Sequence, residues 1–153
     1  MPADSNSQDV RENYAAGPTL GRGAYGVVVG CVHLTSKIRY ACKSVDFRTL
    51  LKTSDGINVA RRLRNEIGIM GSLAGHPNIV GLRDVYECEA SGYIFLVQEL
   101  CDGGTLGDVM RAAQAPLDEE RAAGLFRGIV KSVLHCHQVG WRAHELKSIK
   151  DVC

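Results

Sequence analysis

The chain has 153 residues, of which 45% are hydrophobic and 23% are charged. These fractions are typical of globular domains and exclude a wholly disordered chain, a collagen and a coiled coil. The length predicts a single domain with a buried core. Lysine and arginine number 18 and acidic residues 17, so the net charge is +1. We therefore expect neither nucleic acid nor a membrane surface as a partner.

The N-terminus and the cysteines predict a reducing compartment. Residues 1–5 lack the basic and apolar regions of a secretory signal. The six cysteines form no C-x-x-C pair, and we expect small buried thiols rather than a zinc or redox site. The longest apolar runs are far shorter than the roughly 18 residues that a membrane span requires. We predict a cytoplasmic protein, with the nucleus as the alternative location.

Five strands are predicted before residue 101. Residues 1–17 are polar and without periodicity, which predicts a flexible arm, with order beginning near Pro18. Beyond this point, β-rich runs alternate with glycine, serine and lysine turns. The predicted strands cover residues 19–20, 26–32, 38–45, 79–86 and 93–100.

Three helices are also predicted. An apolar stripe with spacings of four, four and three predicts an amphipathic helix over residues 55–73. The stripe consists of Val59, Leu63, Ile67 and Met70. A short helix is expected at 106–113, and a third at 118–137, where three acidic residues favour the positive end of the helix dipole and Gly140 follows as a stop. The apolar face of the third helix consists of Ala122, Phe126, Ile129 and Val133.

Residues 20–28 read Leu-Gly-Arg-Gly-Ala-Tyr-Gly-Val-Val and contain the pattern G-x-G-x-x-G. A dinucleotide-binding fingerprint leads into a helix, whereas Gly26 is followed by β-branched, strand-like residues. A Walker loop ends in Gly-Lys-Ser/Thr, which is missing here. The pattern therefore predicts a glycine-rich hairpin whose backbone can approach phosphate oxygens, because its glycines carry no side chains. An ordinary glycine-rich β-turn is the alternative.

Lys43 and Glu66 are a candidate charged pair. Lys43 lies near the end of the predicted third strand, in the Tyr-Ala-Cys-Lys pattern of a strand lysine that pairs with nucleotide phosphates. Glu66 lies beside the apolar stripe of the first predicted helix, where it can face the sheet and meet Lys43. Such a pair would hold the ammonium at the phosphates. The alternative for each residue taken alone is a solvated surface charge.

The hairpin, the lysine and the glutamate are followed by two further motifs, and in this order and spacing they resemble a protein kinase. The further motifs are Gly-His-Pro-Asn-Ile-Val at residues 75–80 and Leu-Val-Gln-Glu-Leu-Cys-Asp-Gly-Gly at residues 96–104. The amino-acid sequences of these motifs are most similar to those of calcium-dependent and calmodulin-dependent Ser/Thr kinases of plant and protist type. The resemblance runs from about residue 19 to Gly140.

The resemblance implies an α+β fold, with a five-stranded antiparallel sheet, one packed helix, and the first helices of an incomplete helical lobe. In kinase terms, the chain divides into an N-terminal arm, an N-lobe with its hinge, a partial C-lobe and a divergent tail. These parts cover residues 1–17, 18–104, 105–140 and 141–153.

The resemblance also implies an ATP site in which Lys43 and Glu66 serve as the catalytic pair. The hairpin that would fold over the triphosphate consists of Gly21, Arg22, Gly23, Ala24, Tyr25, Gly26, Val27 and Val28. The adenine would contact the side chains of Leu20, Val28 and Ala41 and the backbone of Glu99 and Cys101. Gln98 takes the gatekeeper position, where we expect its amide to bond main chain or a water. Thr105 stands in place of a glutamate that touches ribose in relatives.

The catalytic loop departs from the family. Members carry His-Arg-Asp-Leu-Lys-x-x-Asn, whose Asp orients the substrate hydroxyl and whose Asn holds Mg²⁺. Here Glu145 replaces the Asp, Ala143 the His and Lys150 the Asn. A carboxylate one methylene longer is misplaced by roughly 1 Å, enough to cost about a hundredfold in rate. The sequence stops at Cys153 before any Asp-Phe-Gly. We therefore expect Mg²⁺ to lack its protein ligands and phosphotransfer by this chain to be absent.

Three functional hypotheses follow. The first is a Ser/Thr kinase relative that binds ATP without completing catalysis. The second is a non-catalytic, pseudokinase-like module that docks on another kinase or a scaffold through the exposed apolar face of the 118–137 helix. The third is an unstable truncated product, which an abrupt end of the resemblance at Gly140 would favour.

Overall fold

The structure is a computed structural model, and it describes residues 9–23, 26–88, 91–113 and 118–141. A 3-10 turn at Val10–Glu12 comes first. The strands are β1 (Tyr14–Gly23), β2 (Gly26–His33), β3 (Arg39–Asp46), β4 (Leu82–Cys88) and β5 (Tyr93–Glu99). The helices are α1 (Phe47–Leu51), α2 (Gly56–Ser72), α3 (Leu106–Ala113) and α4 (Glu119–Gln138). No helix within these residues is both long and apolar enough to cross a bilayer.

The strands form one antiparallel sheet with the order β1-β2-β3-β5-β4. This order confirms the predicted five-stranded antiparallel sheet and the α+β class. The bounds of β2, β3 and β5 lie within one residue of the prediction. β4 begins at Leu82 rather than at residue 79, because Ile79 and Val80 are buried in the connection that follows α2.

The N-terminal segment is ordered earlier than predicted. Residues 1–8 of the predicted arm lie outside the described residues, but Val10 is buried and β1 already begins at Tyr14. The ring of Tyr14 meets those of Tyr40 and Tyr86 edge to face, with centroids 5.9 and 6.2 Å apart. Burial of this ring offsets the entropy of ordering a short segment that has no periodicity of its own.

α2 covers one face of the sheet, which we call the inner face. Leu63 is buried against it, and Ile67 and Met70 pack beside Leu63, as the apolar stripe predicts. The sheet residues of this cluster are Val45, Leu82, Val85, Ile94 and Leu96. The short helix α1, which we did not predict, begins where the carboxylate of Asp46 accepts a hydrogen bond from the N–H of Thr49 at 3.0 Å.

α3 has the predicted bounds, and α4 lies within one residue of them. The packed side of α4 consists of small residues, with Ser132 and Cys136 buried and Gly128 half-buried. A Cβ on Gly128 would lie 3.1 Å from the amide nitrogen of Asn78, so glycine permits this close approach. The apolar face of the helix points away, and Phe126 is 67% exposed. Three of the four residues of the predicted face, Ala122, Phe126 and Ile129, are exposed, whereas Val133 is half-buried.

The C-terminal end of α4 is fastened to α2. Gly140, with φ of 91°, donates to the carbonyl of His137. The N–H of Trp141 donates to the carbonyl of Cys136, which completes a Schellman motif. The indole N–H of Trp141 donates to the hydroxyl of Ser72 at 2.9 Å. Trp141 therefore packs with the folded chain, and the predicted divergent tail beyond it lies outside the described residues.

Candidate functional site

Rows of paired residues cross the inner face, because directly paired residues of antiparallel strands point to the same face. The central row contains Gly21, Val28, Lys43 and Leu96. The row nearer the hairpin tip contains Gly23, Gly26, Val45 and Ile94. The row on the other side contains Gly30, Ala41 and Gln98. The sheet therefore brings Val28, Ala41, Lys43 and Gln98 onto the same face as the hairpin glycines.

The other hairpin side chains do not join this surface. Arg22 pairs with Val27, one step along the strands from the central row, so both side chains point to the opposite face, which we call the outer face. Only the backbone of these two residues faces the site. Ala24 and Tyr25 at the hairpin tip lie outside the described residues.

The three hairpin glycines differ in whether the surrounding protein leaves space for a side chain. A Cβ on Gly26 would overlap the main-chain carbonyl oxygen of Ser44, so the approach of β2 to β3 requires glycine there. A Cβ on Gly21 would meet nothing within 4 Å, and one on Gly23 only a carbonyl oxygen at 3.9 Å. Packing therefore explains Gly26 but leaves open space over Gly21, where a ligand can approach the backbone.

Leu20 of β1 and Ala41 of β3 lie on either side of Gly30 of β2 on this surface. The side chain of Leu20 is 52% exposed, and its Cδ2 lies 3.9 Å from the place that a Cβ on Gly30 would take. Ala41 is buried and pairs with Gly30. An exposed apolar side chain and a buried small one thus flank the same glycine, as expected for two walls of a flat pocket.

Lys43 and Glu66 form the predicted pair. The Nζ atom of Lys43 lies 3.6 Å from Oε1 of Glu66, and the two side chains are 29% and 22% exposed. α2 orients Glu66 toward the sheet because the neighbouring Leu63 and Ile67 are packed there. This contact excludes the alternative of two independent solvated charges. A partly exposed ion pair stabilises a fold by only about 0–1 kcal/mol. A contribution to stability therefore does not by itself explain why Lys43 and Glu66 are paired.

The residue beside Lys43 carries a neutral thiol. Burial raises the pKa of Cys42 to about 12, and the nearby thiol of Cys31 adds to the rise. Cys42 points to the outer face, because alternate residues of a strand face opposite sides. It therefore neither competes with Glu66 for the ammonium of Lys43 nor provides a thiolate nucleophile at neutral pH.

The cavity next to the ion pair is small. It has a volume of about 150 Å³ and is bounded by Lys43, Glu66, Leu50 of α1 and neighbouring residues of α2. Small-molecule pockets usually measure roughly 300–1,000 Å³. A nucleotide does not fit within this cavity and requires the open surface formed by the rows described above.

The residues that we expect to meet the adenine edge lie at the end of β5 and just after it. The N–H of Glu99 donates to the carbonyl of Gly81 at 2.9 Å, so this donor is already used within the protein. Cys101 is exposed. Gln98 is half-buried, and its amide makes no main-chain hydrogen bond within the described residues. Because Gln98 is only partly removed from solvent, desolvation does not force such a bond, and the alternative of a bound water stays a prediction.

Two contacts around this segment had no signal in the sequence pattern. Nη2 of Arg39, at the start of β3, lies 2.8 Å from Oδ2 of Asp102 beyond β5, and both side chains are largely exposed. Thr105 caps α3, because its hydroxyl accepts a hydrogen bond from the N–H of Asp108 at 3.1 Å. The carboxylate of Asp108 accepts in return from the N–H of Thr105 at 3.0 Å. Thr105 thus has a structural role where relatives would contact ribose.

Within the described ranges there is no group of three or more His, Cys, Asp or Glu side chains that could hold a metal ion. Ala143, Glu145 and Lys150, the three departures from the family's catalytic loop, lie in residues 142–153, outside those ranges. Their predicted effect on catalysis therefore stays a prediction.

Comparisons with known proteins agree with this geometry. A family model described as protein kinase domain matches residues 14–148. Calcium-dependent protein kinase 15 of Oryza sativa subsp. japonica is 43% identical over 140 residues, which are 92% of this chain and 24% of that protein. Calcium-dependent protein kinase 19 of Arabidopsis thaliana is 39% identical over 140 residues, again 92% and 24%. A twitchin kinase fragment of C. elegans has a TM-score of 0.73 at 25% identity, covering 90% of this chain and 28% of that one.

These comparisons also correct the predicted limits of the resemblance. The chain spans about a quarter of the length of the curated relatives it matches. The family match begins at residue 14 rather than 19 and ends at residue 148 rather than at Gly140. We expected the similarity to stop at Gly140, but it continues beyond this residue.

Proposed function

Because the chain belongs to the protein kinase family, we propose that it is the ATP-binding portion of a Ser/Thr protein kinase. The observation that carries the proposal is the ion pair of Lys43 and Glu66, on the same sheet face as Gly21. The triphosphate then lies on the inner face, below the glycine-rich hairpin.

Each group of the proposed site has a separate task. The ammonium of Lys43 binds phosphate oxygens, and Glu66 acts as a positioning residue that holds this ammonium in place. The backbone of the hairpin approaches the phosphates over Gly21, where a side chain would occupy the open space. Leu20 and Ala41 flank the adenine, whose edge meets the backbone of the segment after β5.

Mg²⁺, when bound with the nucleotide, would neutralise part of the phosphate charge. The described residues offer it no cluster of ligands, so we propose no protein ligand for it. We further propose that this chain does not transfer the phosphoryl group. In the sequence, Glu145 stands in place of the Asp that orients the substrate hydroxyl in the family, and Lys150 stands in place of the Asn that holds the metal; a carboxylate one methylene longer and a cation are poor replacements for these groups.

Isothermal titration of the full chain with ATP and Mg²⁺ tests the binding proposal. Lys43→Met should weaken ATP binding by about tenfold or more, equivalent to about 1.4 kcal/mol, and Glu66→Gln should weaken it less. Lys52→Met is the matched control, because Lys52 is exposed and lies outside the site. Unchanged affinity in Lys43→Met would overturn the proposal.

Incubation with γ-labelled ATP and a generic substrate such as histone tests the second part. We expect no label on the substrate above the background of Lys43→Met. Incorporation clearly above that background would show that the chain completes phosphotransfer and that Glu145 is a competent replacement.

A second candidate function is a docking module, and the exposed side of α4 favours it. The apolar side chains on this helix that are at least two fifths exposed are Leu125, Phe126, Ile129, Val130 and Leu134. Such a patch is typical of a protein interface or of an aggregation-prone surface. Light scattering distinguishes these outcomes, since a monodisperse assembly that Phe126→Ser dissociates supports docking. A non-cooperative thermal melt would instead support the hypothesis of an unstable product.

A cytoplasmic or nuclear location stays a prediction.

A further inference from the structure

A cavity of about 440 Å³ lies on the outer face of the sheet, opposite the proposed ATP site. Its volume falls within the roughly 300–1,000 Å³ of small-molecule pockets. The apolar side chains that line it include Val10, Tyr14, Val29, Cys31, Cys42 and Phe95. The cavity is thus separate from the residues to which we assign nucleotide binding.

The N-terminal segment forms one wall of this outer-face cavity. β1 and β4 are the two edge strands of the sheet, yet the hydroxyl of Tyr14 donates to Asp84 of β4. The amide of Asn13 donates to the hydroxyl of Tyr86 at 3.2 Å. The chain before β1 therefore crosses the outer face and is fixed to the far edge. This crossing leaves a preformed space between the segment and the sheet.

Several polar groups around the cavity, including both charged residues of the wall, already have partners within the protein. At the rim, Nε of Arg11 donates to Oδ1 of Asp9 at 2.9 Å. The hydroxyl of Ser44 donates to the carbonyl of Val27 at 3.1 Å, and Tyr14 is bound to its aspartate. The two charged residues of the wall, Arg11 and Asp9, pair with each other, so a charged ligand would leave water without an unpaired opposite charge to meet it, which disfavours such a ligand.

Two of the three cysteines that line the cavity, Cys31 and Cys42, behave as apolar groups. Burial raises the pKa of both Cys31 and Cys42, so both thiols are neutral at physiological pH. A buried neutral thiol packs as a small hydrophobic group. The rings of Tyr14 and Phe95 provide aromatic surface on the same wall, which favours a ligand with a ring system of its own.

A peptide segment is a poor occupant. The backbone groups of β2, β3 and β5 beneath the cavity are paired with one another, so they cannot satisfy the amides of an added strand.

We propose that the outer-face cavity binds a neutral, apolar small molecule with an aromatic ring system. The site goes beyond the proposed ATP site and does not depend on it.

Fluorescence titration of the full chain with N-phenyl-1-naphthylamine, a neutral aromatic probe, tests this proposal. We expect saturable binding at one site, weakened by about tenfold or more in Val29→Trp, whose added ring fills the cavity. Phe126→Ser is the control, because it removes apolar surface from α4 and should leave the titration unchanged. Wild-type affinity in Val29→Trp, or loss of binding in Phe126→Ser, would overturn the proposal.

Methyl NMR of the unsubstituted protein provides an independent readout if Val29→Trp does not fold. Addition of the probe should shift the methyl signals of Val10 and Val29 but not those of Val28 and Val45, which face the other side of the sheet. The reverse pattern would contradict the assignment. Lys43→Met should bind the probe normally, so a failure of the ATP proposal and a failure of this one are distinguishable.

Discussion

Replacing Gly26 with alanine separates the structural glycine of the hairpin from the one that we assign to ATP. Gly26 begins β2 and pairs with Val45 of β3. A Cβ at this position would overlap the carbonyl oxygen of Ser44 and lie 2.9 Å from its carbonyl carbon. Both atoms belong to the backbone of a strand with partners on both sides, so they cannot move aside as a flexible side chain could.

The cost follows from this overlap. Overpacking a well-packed site costs about 1–3 kcal/mol, and backbone as the obstacle places Gly26→Ala at the upper end, about 3 kcal/mol. For a chain of this size each kcal/mol lowers Tm by about 2–4 °C, so the expected fall is about 6–12 °C. Thermal unfolding followed by circular dichroism measures it directly.

Gly21→Ala is the matched control. Its added methyl meets nothing within 4 Å, and Gly21 does not have a positive φ. Tm should therefore stay the same or rise slightly, because alanine reduces the entropy of the unfolded chain. ATP affinity should fall by about tenfold, since the methyl occupies the open space above the backbone. A Gly26→Ala protein that melts like the wild type would refute the reasoning about close approach.

Three further substitutions test other parts of the account. Asp118→Ala removes the carboxylate that accepts from the N–H of Arg121 at 2.8 Å and should cost about 1 kcal/mol in thermal unfolding, whereas Asp118→Asn should retain most of the cap. Trp141→Phe removes the donor to Ser72 and should cost about 1 kcal/mol in urea unfolding; a Ser72→Ala background that leaves this loss unchanged would contradict the bond. The folded-state pKa of Cys42 is about 12, above the model-compound value of 9.0, so the unfolded thiol ionises first. Cys42 therefore makes its full contribution to the free energy of unfolding below about pH 9, and above this pH the contribution falls by at most about 1.4 kcal/mol per pH unit. Cys42→Val should flatten the fall in Tm at alkaline pH. An unaltered slope of Tm against pH would count against this cause.

The long helices α2 and α4 could be predicted from the sequence, because their signals are local. The stripe that includes Leu63 and Ile67 locates α2 and places Glu66 toward the sheet, and from this the contact with Lys43 could be anticipated. The acidic start and the Gly140 stop locate α4 in the same way. Local pattern and tertiary packing agree at these places.

Features that depend on distant contacts could not be predicted. The early start of β1 rests on Tyr14, whose ring packs against Tyr40 and Tyr86, far away in sequence. Alanine, glycine and proline follow Tyr14, and these residues have low strand propensity. The outer-face cavity arises because the N-terminal segment crosses the sheet, and the pairing of Arg39 with Asp102 joins positions with no characteristic spacing. Tertiary packing decides the structure at each of these places.

The most direct test of the ATP proposal is labelling by an acyl-phosphate derivative of ATP. Its acyl group is transferred to a lysine amine that lies beside the bound phosphates, and mass spectrometry identifies the lysine. We predict that Lys43 takes the label, that excess ATP prevents labelling, and that Glu66→Gln reduces it. Labelling spread over the exposed lysines such as Lys37 and Lys52, with no protection of Lys43 by ATP, would contradict the account.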